Sequence, residues 1–207
     1  MEKFIKSNLI KLFLTLVVLL MMSISSEKTF AAMPDISAGQ TYFDFKSGCY
    51  VLKNNVRVVA RGRTMTANEA KVQIASQKVW ANGDVSLEQE GFSFKCDSIF
   101  VQGKLKTVDV LGSVYFVQDN VITITSSVGQ FSWDNKVADF YGQVKVNVAK
   151  KAKINFDDNL NIDENNINGV YDHVQYNIRE SKIILLDKKY DPIPNITFPE
   201  PDPTEGN

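Results

Sequence analysis

Apolar and polar residues alternate along four stretches in the middle of the chain. In each stretch the residues at alternate positions are mostly Val, Leu, Phe, Tyr or Ala, and those between them are mostly Asn, Asp, Arg, Ser, Gln or Lys. A period of two residues is typical of a β-strand with one buried face and one solvated face. The stretches cover residues 50–58, 79–87, 108–116 and 138–146. The pattern predicts β-strands, and no helical segment interrupts them.

A short motif stands at the centre of each stretch. Gly83, Gly112 and Gly142 are each followed two residues later by valine, and Asn54 takes the place of glycine in the first stretch. The spacings are 29, 29 and 30 residues, and a fixed period in this range indicates one structural unit stacked on copies of itself. Glycine and asparagine tolerate unusual backbone angles, so we expect a bend or bulge in every strand at this position.

The segments between these stretches also recur. Phrases beginning at Ala67, Cys96 and Ser126 align with one another, and a looser fifth copy covers residues 169–187. Short strands with frequent turns predict an all-β fold. A unit of about 29 residues, stacked edge to edge, predicts a repeat-built, open-ended β-jellyroll over residues 37–187.

The composition argues against several functions. A formal net charge of −1 gives no basic field for nucleic acid. The only histidine, His173, lies in the loosest copy, where an exposed strand residue is expected, and Asp109 and Asp139 fall on the outward phase of their strands. The polar run from Asn155 to Asn166 lacks the spacing and closing Glu of a calcium loop. We therefore predict no enzyme activity, no metal site and no cofactor.

The first 32 residues have the layout of a secretory signal peptide. Three lysines precede a 13-residue apolar run at positions 12–24, and small residues at Ala31–Ala32 offer a cleavage site. The alternative is an uncleaved membrane anchor, although a spanning helix needs roughly 20 residues. The sequence thus predicts an exported protein.

Two further features are left open by the sequence. Cys49 and Cys96 form either a disulfide or two buried thiols that act as small apolar residues. Residues 188–207 are predicted to be a disordered or extended acidic tail, because five prolines lie beyond position 191.

The repeated motifs resemble those of a known family. The Gly-x-Val phrases, Ala67-Asn68-Glu69-Ala70, Cys96-Asp97-Ser98-Ile99 and the signal peptide are similar to the OstA-like family over about residues 37–146, or to 187 with the fifth copy. The resemblance implies a twisted β-jellyroll whose interior groove holds the acyl chains of lipopolysaccharide. It also implies a periplasmic, non-enzymatic carrier that stacks end to end and bridges the inner- and outer-membrane components of lipopolysaccharide transport.

Two sets of candidate binding residues follow. The inward strand positions would line a lipid groove, although the same residues would suit a plain β core. They are Val56, Val58, Val72, Val85, Leu87, Val101, Val114, Phe116, Phe131, Phe140, Val144 and Val146. Arg57, Arg61 and Arg63 are candidates for contact with lipid phosphates at one mouth of the groove.

Two other functions fit the same pattern. One is a membrane-anchored relative in the same transport pathway, which would keep its N-terminal helix. The other is a structural β-solenoid at the cell surface that binds no lipid.

Overall fold

A computed structural model describes residues 35–60, 62–149, 154–157, 167–187 and 193–206. The predicted signal peptide at residues 1–32, Arg61 and most of the polar run after Asn155 lie outside these ranges. The strands are β1 (Asp35–Ser37), β2 (Gln40–Asp44), β3 (Cys49–Ala60), β4 (Arg63–Gln73), β5 (Lys78–Gln89), β6 (Phe92–Gln102), β7 (Thr107–Gln118), β8 (Ile122–Ser132), β9 (Val137–Val148), β10 (Asn155–Phe156), β11 (Gly169–Asn177) and β12 (Lys182–Asp187). A short 3₁₀ helix, Pro203–Gly206, ends the described chain.

All twelve strands belong to one open sheet. From β3 to β9, and on through β11 and β12, each strand pairs antiparallel with the next, as successive hairpins do. Both β1 and β2 pair with the other edge of β3, and β10 pairs parallel with β12 at the far end. The predicted all-β, open-ended, repeat-built fold is confirmed. Within the described ranges, no helix is long and apolar enough to cross a membrane.

The four long odd-numbered strands bend at the repeated motif. Two consecutive residues have positive φ at each bend, namely Asn54–Asn55, Gly83–Asp84, Gly112–Ser113 and Gly142–Gln143. The register between neighbouring strands shifts at the same places, as in a β-bulge. The bend predicted from Asn54 and the three glycines is confirmed, and we call these bends the corners of the sheet.

The space at each corner explains why glycine is used. A methyl group added to Gly112, whose φ is 73°, would lie 2.8 Å from Cγ of Asp97 on the preceding strand. At the first corner Asn54 carries a side chain, and here the facing residue on the preceding segment is Gly39. A Cβ on Gly39 would lie 2.9 Å from Cβ of Asn54, so the Asn54 side chain is accommodated because Gly39 has none.

The corners divide the sheet into two walls. The first wall contains residues 49–53, 69–73, 78–82, 98–102, 107–111, 128–132, 137–141, 173–177 and 182–187, and the second wall contains residues 56–60, 63–66, 85–89, 92–96, 114–118, 122–126, 144–148 and 169–171. On the second wall, Phe116 pairs with Ile124 of β8, and Ile124 pairs with Val146 of β9. Val146 lies six residues along β9 from Phe140, which belongs to the first wall. In a flat sheet that offset is roughly 20 Å. The Phe116 and Phe140 ring centroids are 5.6 Å apart, so the walls fold onto each other around a shared core.

The two cysteines lie on opposite faces of the sheet. Both are free thiols. Cys96 belongs to the core between the walls, whereas Cys49 packs on the outer face with Trp80 and Phe100. Side chains that point to opposite faces cannot be bridged without moving the backbone. Of the two alternatives, the structure therefore shows the buried thiols.

Both thiols are expected to be unreactive in the native protein. Burial raises the pKa of Cys49, and it raises the pKa of Cys96 to about 12. Since the thiolate is the reacting form, we expect a maleimide at pH 8 to label neither residue rapidly until guanidinium chloride unfolds the chain. Mass spectrometry should then count two labels, and an intact mass 2 Da below the reduced value would contradict the assignment.

The tail crosses the outer face of the first wall. Ile193 lies beside Gly142 at the fourth corner, and Pro203 lies beside Gly48 at the start of β3. Residues 193–202 form neither helix nor strand and lie against the wall. Its prolines have no N–H to leave unsatisfied, and its aromatic residue, Phe198, finds a partner on the wall.

Candidate functional site

The twelve predicted groove residues all lie on the inner faces of the two walls. Ten of them are no more than 3% exposed. Phe131 is half-buried and packs against the same core. Leu87 is half-buried as well, two residues beyond Val85 on the same face of β5. The structure therefore brings eleven of the twelve together in one apolar core and places Leu87 on the same face of the sheet.

An aromatic cluster joins the walls at the centre of this interior. Phe116 is 1% exposed and packs against three other rings. Its ring centroid lies 5.4 Å from that of Phe92, 5.6 Å from that of Phe140 and 5.5 Å from that of Tyr176. Side chains that touch in this way leave apolar surface for a ligand only when the walls separate.

The two walls approach each other again at the edge opposite the corners, which we call the open edge. Backbone hydrogen bonds between neighbouring turns stay within one wall, as from Gly103 N to Gln77 O in the first wall and from Asp119 N to Gly91 O in the second. Contacts between the walls at this edge, such as those of Gln118, are made by side chains, whereas at the far end the backbone of β10, which follows β9, pairs with β12 of the first wall. Separating the walls between β3 and β9 would therefore leave the antiparallel backbone ladder intact.

A small polar cluster connects the walls at the open edge. The Gln118 side chain, from the second wall, donates to Ser181 Oγ at 2.8 Å and to Ile178 O at 3.2 Å. It accepts a hydrogen bond from the Tyr176 hydroxyl at 3.1 Å. Burial raises the pKa of Tyr176 to about 12, so this hydroxyl stays a donor at neutral pH. Sequence reasoning missed these residues, because Gln118 and Ser181 carry no motif.

The three predicted phosphate-contact residues do not form one group. Arg57 is exposed, and it alternates with the buried Val56 and Val58, so it faces outward. Arg63 is 6% exposed and faces inward at the open edge, where its Nε donates to Gln89 Oε1 at 2.6 Å. Arg61 lies outside the described residues. The prediction of a shared site for Arg57 and Arg63 is therefore wrong, because they lie on opposite faces of the sheet.

Two further basic residues accompany Arg63. Lys136 lies in the turn before β9 and Arg179 in the turn before β12. Burial lowers the pKa of Lys136, Asp134 opposes that effect, and the positive charges of Arg179 and Arg63 lower the pKa further. Charges affect a pKa only at short range, so three cations, Arg63, Lys136 and Arg179, and one carboxylate, Asp134, lie near one another at the open edge, and we call this group the positive stretch.

His173 occupies a structural position on the outer face. Its Nε2 lies 2.9 Å from Asp139 Oδ1, and its ring stacks on Tyr141 with 4.3 Å between centroids. The side chain is 8% exposed, so the expectation of an exposed histidine is wrong. The reason is the row of cross-strand hydrogen bonds around it, in which Asp139 also accepts from Gln175 and Asp109 accepts from Gln130. Among the described residues, no three His, Cys, Asp or Glu side chains are grouped as a metal site.

The comparisons with known proteins agree with this geometry. A family model described as "OstA-like protein" matches residues 53–186, which is more than half of the chain. The chain belongs to the OstA-like protein family. The predicted family is confirmed, and the matched range contains all of β4 to β9 and β11. No curated protein matches the sequence.

A solved structure shares the fold. It is described as LptH, the LptA-homologous periplasmic component of the conserved lipopolysaccharide transport device from Pseudomonas aeruginosa. The TM-score is 0.50 at 12% sequence identity, and the match covers 56% of this chain and 94% of LptH. The match shows that this OstA-like chain has the fold of an LptA homologue.

Proposed function

We propose that this OstA-like protein is a non-enzymatic periplasmic carrier that binds the acyl chains of lipopolysaccharide, or of a related lipid, between its two walls. One observation carries the proposal. The walls have continuous apolar inner faces, and at the open edge the described contacts between them, apart from the β10–β12 pair at the far end, are made by side chains such as Gln118. Family membership and the fold shared with a lipopolysaccharide-transport component support the same conclusion.

The energetics favour an acyl chain as the ligand. Transfer of a chain from water gains about 0.8 kcal/mol per buried CH₂, so a chain of a dozen carbons gains roughly 10 kcal/mol. That gain must offset the side-chain packing that is broken when the walls separate, including the contacts of the Phe116 cluster. The side-chain hydrogen bonds of Gln118 are replaceable by water, because they lie at the edge.

The positive stretch at the open edge suits the phosphates of such a lipid. Arg63 already projects to the boundary between the apolar interior and the solvent, with Lys136 and Arg179 nearby. Guanidinium groups bind phosphate oxygens through paired hydrogen bonds. We therefore keep Arg63 as a phosphate-contact residue and replace Arg57, which faces the other side, by these two.

The ends of the sheet suit association with further copies. β1 and β2 form one end, and β12 with the two-residue β10 forms the other. Edge strands pair readily with strands of another chain, which would give an end-to-end stack between the inner- and outer-membrane components of the transport pathway. Cleavage near Ala31–Ala32 would release the chain into the periplasm. N-terminal sequencing of the exported protein separates this arrangement from a membrane-anchored, LptC-like one.

A charge on the inner face is expected to abolish lipid binding without unfolding the protein. Leu87→Asp places a carboxylate at a half-buried inner position away from the central aromatic cluster. We expect lipid that co-purifies with the protein, measured by mass spectrometry after gentle extraction, to fall more than tenfold. The reason is the cost of placing a charge against acyl chains.

The matched control is Tyr115→Asp, which puts the same charge on the outer face, where Tyr115 is 42% exposed. It should retain the lipid. Folded Leu87→Asp protein that still carries lipid at the wild-type level would contradict a site between the walls. Wild-type protein that carries none would favour the structural β-solenoid.

A further inference from the structure

The tail is held by two hydrogen bonds from side chains of the first wall. Trp80 Nε1 donates to the carbonyl of Pro199 at 2.7 Å, and Gln73 Nε2 donates to the carbonyl of Asp202. Gln73 is 2% exposed, and Ser76 Oγ orients it by donating to its Oε1 at 2.6 Å. The Gln73 donor is therefore oriented by a contact within the first wall.

The spacing of the accepting carbonyls is compatible with a polyproline II backbone. Pro199 and Asp202 are three residues apart, which is one turn of a polyproline II helix. Pro199, Pro201 and Pro203 restrict φ to the value that this helix needs. Residues 193–202 form no strand, so the tail is bound by side chains of the wall and does not extend the sheet.

An aromatic surface accepts the tail's side chain. Cys49, Trp80 and Phe100 form a buried cluster on the outer face of the first wall, and Phe198 packs against it. The ring centroids of Phe100 and Phe198 are 5.7 Å apart. An aromatic surface with an indole N–H donor is a recurring means of binding proline-containing segments in this conformation.

The tail and the wall beside it also carry opposite charges. The tail carries Glu200 and Asp202, and the wall beside it carries Lys78. The pKa of Asp202 is lowered first by two hydrogen bonds from Thr204 and further by the Lys78 charge. The acidic segment therefore meets one lysine, Lys78, at the rim of the aromatic cluster.

We propose that this outer face, made of Gln73, Trp80 and Phe100 with Lys78 at its rim, is a binding site for an extended, acidic, proline-containing segment of a partner protein that presents an aromatic residue before a proline. The chain's own residues 193–206 occupy the site in the absence of the partner. Because the tail belongs to the same chain, its effective concentration at the site is high, and a partner segment must compete with it. This site lies on the opposite face from the proposed lipid site and does not depend on it.

The test uses the full chain with the tail loosened by one substitution. Phe198→Asp removes the aromatic contact and leaves the sheet unchanged. We expect maleimide labelling of Cys49, which lies beneath the tail, to be at least tenfold faster than in the wild type. A synthetic peptide of residues 193–206 should restore the wild-type rate, and Cys96 in the inner core should stay protected throughout as an internal control.

The matched control is Phe45→Asp, because Phe45 is 87% exposed and outside the cluster. It should label at the wild-type rate. In a second variant, Trp80→Phe added to Phe198→Asp keeps the aromatic surface and removes the N–H donor. The peptide should then bind about fivefold more weakly, the fold-change expected for one lost hydrogen bond.

Three results would overturn the proposal. The first is unchanged labelling of Cys49 in Phe198→Asp. The second is equal protection by a scrambled peptide of the same composition. The third is loss of the β-sheet circular dichroism spectrum in Phe198→Asp, which would make the tail part of the fold instead of an exchangeable occupant.

Discussion

Phe116→Ala is expected to lower the free energy of unfolding by about 3–5 kcal/mol. Phe116 packs against three aromatic rings and joins the second wall to the first, so its removal leaves a cavity where the walls meet. Small domains have total stabilities of about 5–15 kcal/mol, so this variant should lose a large part of its stability. Urea denaturation followed by circular dichroism gives the measurement.

The neighbouring Tyr115 provides the control. It lies on the outer face and is 42% exposed, so Tyr115→Ala should change the stability by no more than about 0.5 kcal/mol. Equal losses for the two variants would mean that the walls do not face each other as described. A charge at Phe116 should unfold the protein before any effect on lipid binding can be measured, which is why Leu87 is the better position for that experiment.

Gly112→Ala is expected to cost about 1–3 kcal/mol, which is large for the addition of one methyl group. The φ of 73° at Gly112 is strained for alanine, and the new Cβ would displace the Asp97 carboxylate. Asp97 would then lose its hydrogen bond from Ser113 Oγ, which is 3.1 Å long. The midpoint of urea unfolding should fall without a change in its slope.

Gly129→Ala is the matched control for the corner. Gly129 lies within β8 without a left-handed φ, and an added methyl would meet its nearest atom at an ordinary 3.5 Å. Its effect should stay within about 1 kcal/mol. Combining Gly112→Ala with Asp97→Ala should be less harmful than the sum of the two by at least about 0.5 kcal/mol, because the displaced carboxylate is gone. Additive losses would show that Asp97 does not crowd the corner.

Much of the fold could be predicted from the sequence because its determinants are local. Alternation assigns the side chains of one strand to two faces, and the confirmed inner positions of Val85 and Val114 follow from it directly. The corners could be predicted as well, since a left-handed backbone selects Gly or Asn wherever it occurs. The use of Asn54 in place of glycine could be explained only from the structure, because its side chain fits beside Gly39, which has none, on a neighbouring segment.

The rest of the candidate site depended on contacts between distant segments. Arg57 and Arg63 are six residues apart, but a turn lies between them and carries them to opposite faces. His173 looked like a surface residue until Asp139 and Tyr141 of the adjacent strand were placed beside it. Trp80 and Phe100 fall on the outward phase of their strands, and only the position of Phe198 shows why they are buried.

By itself the sequence determined the strands, the corners, the repeat and the family, because backbone preference and side-chain alternation act within a few residues. The tertiary structure decided how the walls meet, which residues join them at the open edge and where the tail lies. Those features depend on pairs such as Gln118 with Ser181, and Trp80 with Pro199, that are 63 and 119 residues apart in the chain. No local pattern encodes such pairs, because each partner is compatible with many others until the folded sheet brings the two together.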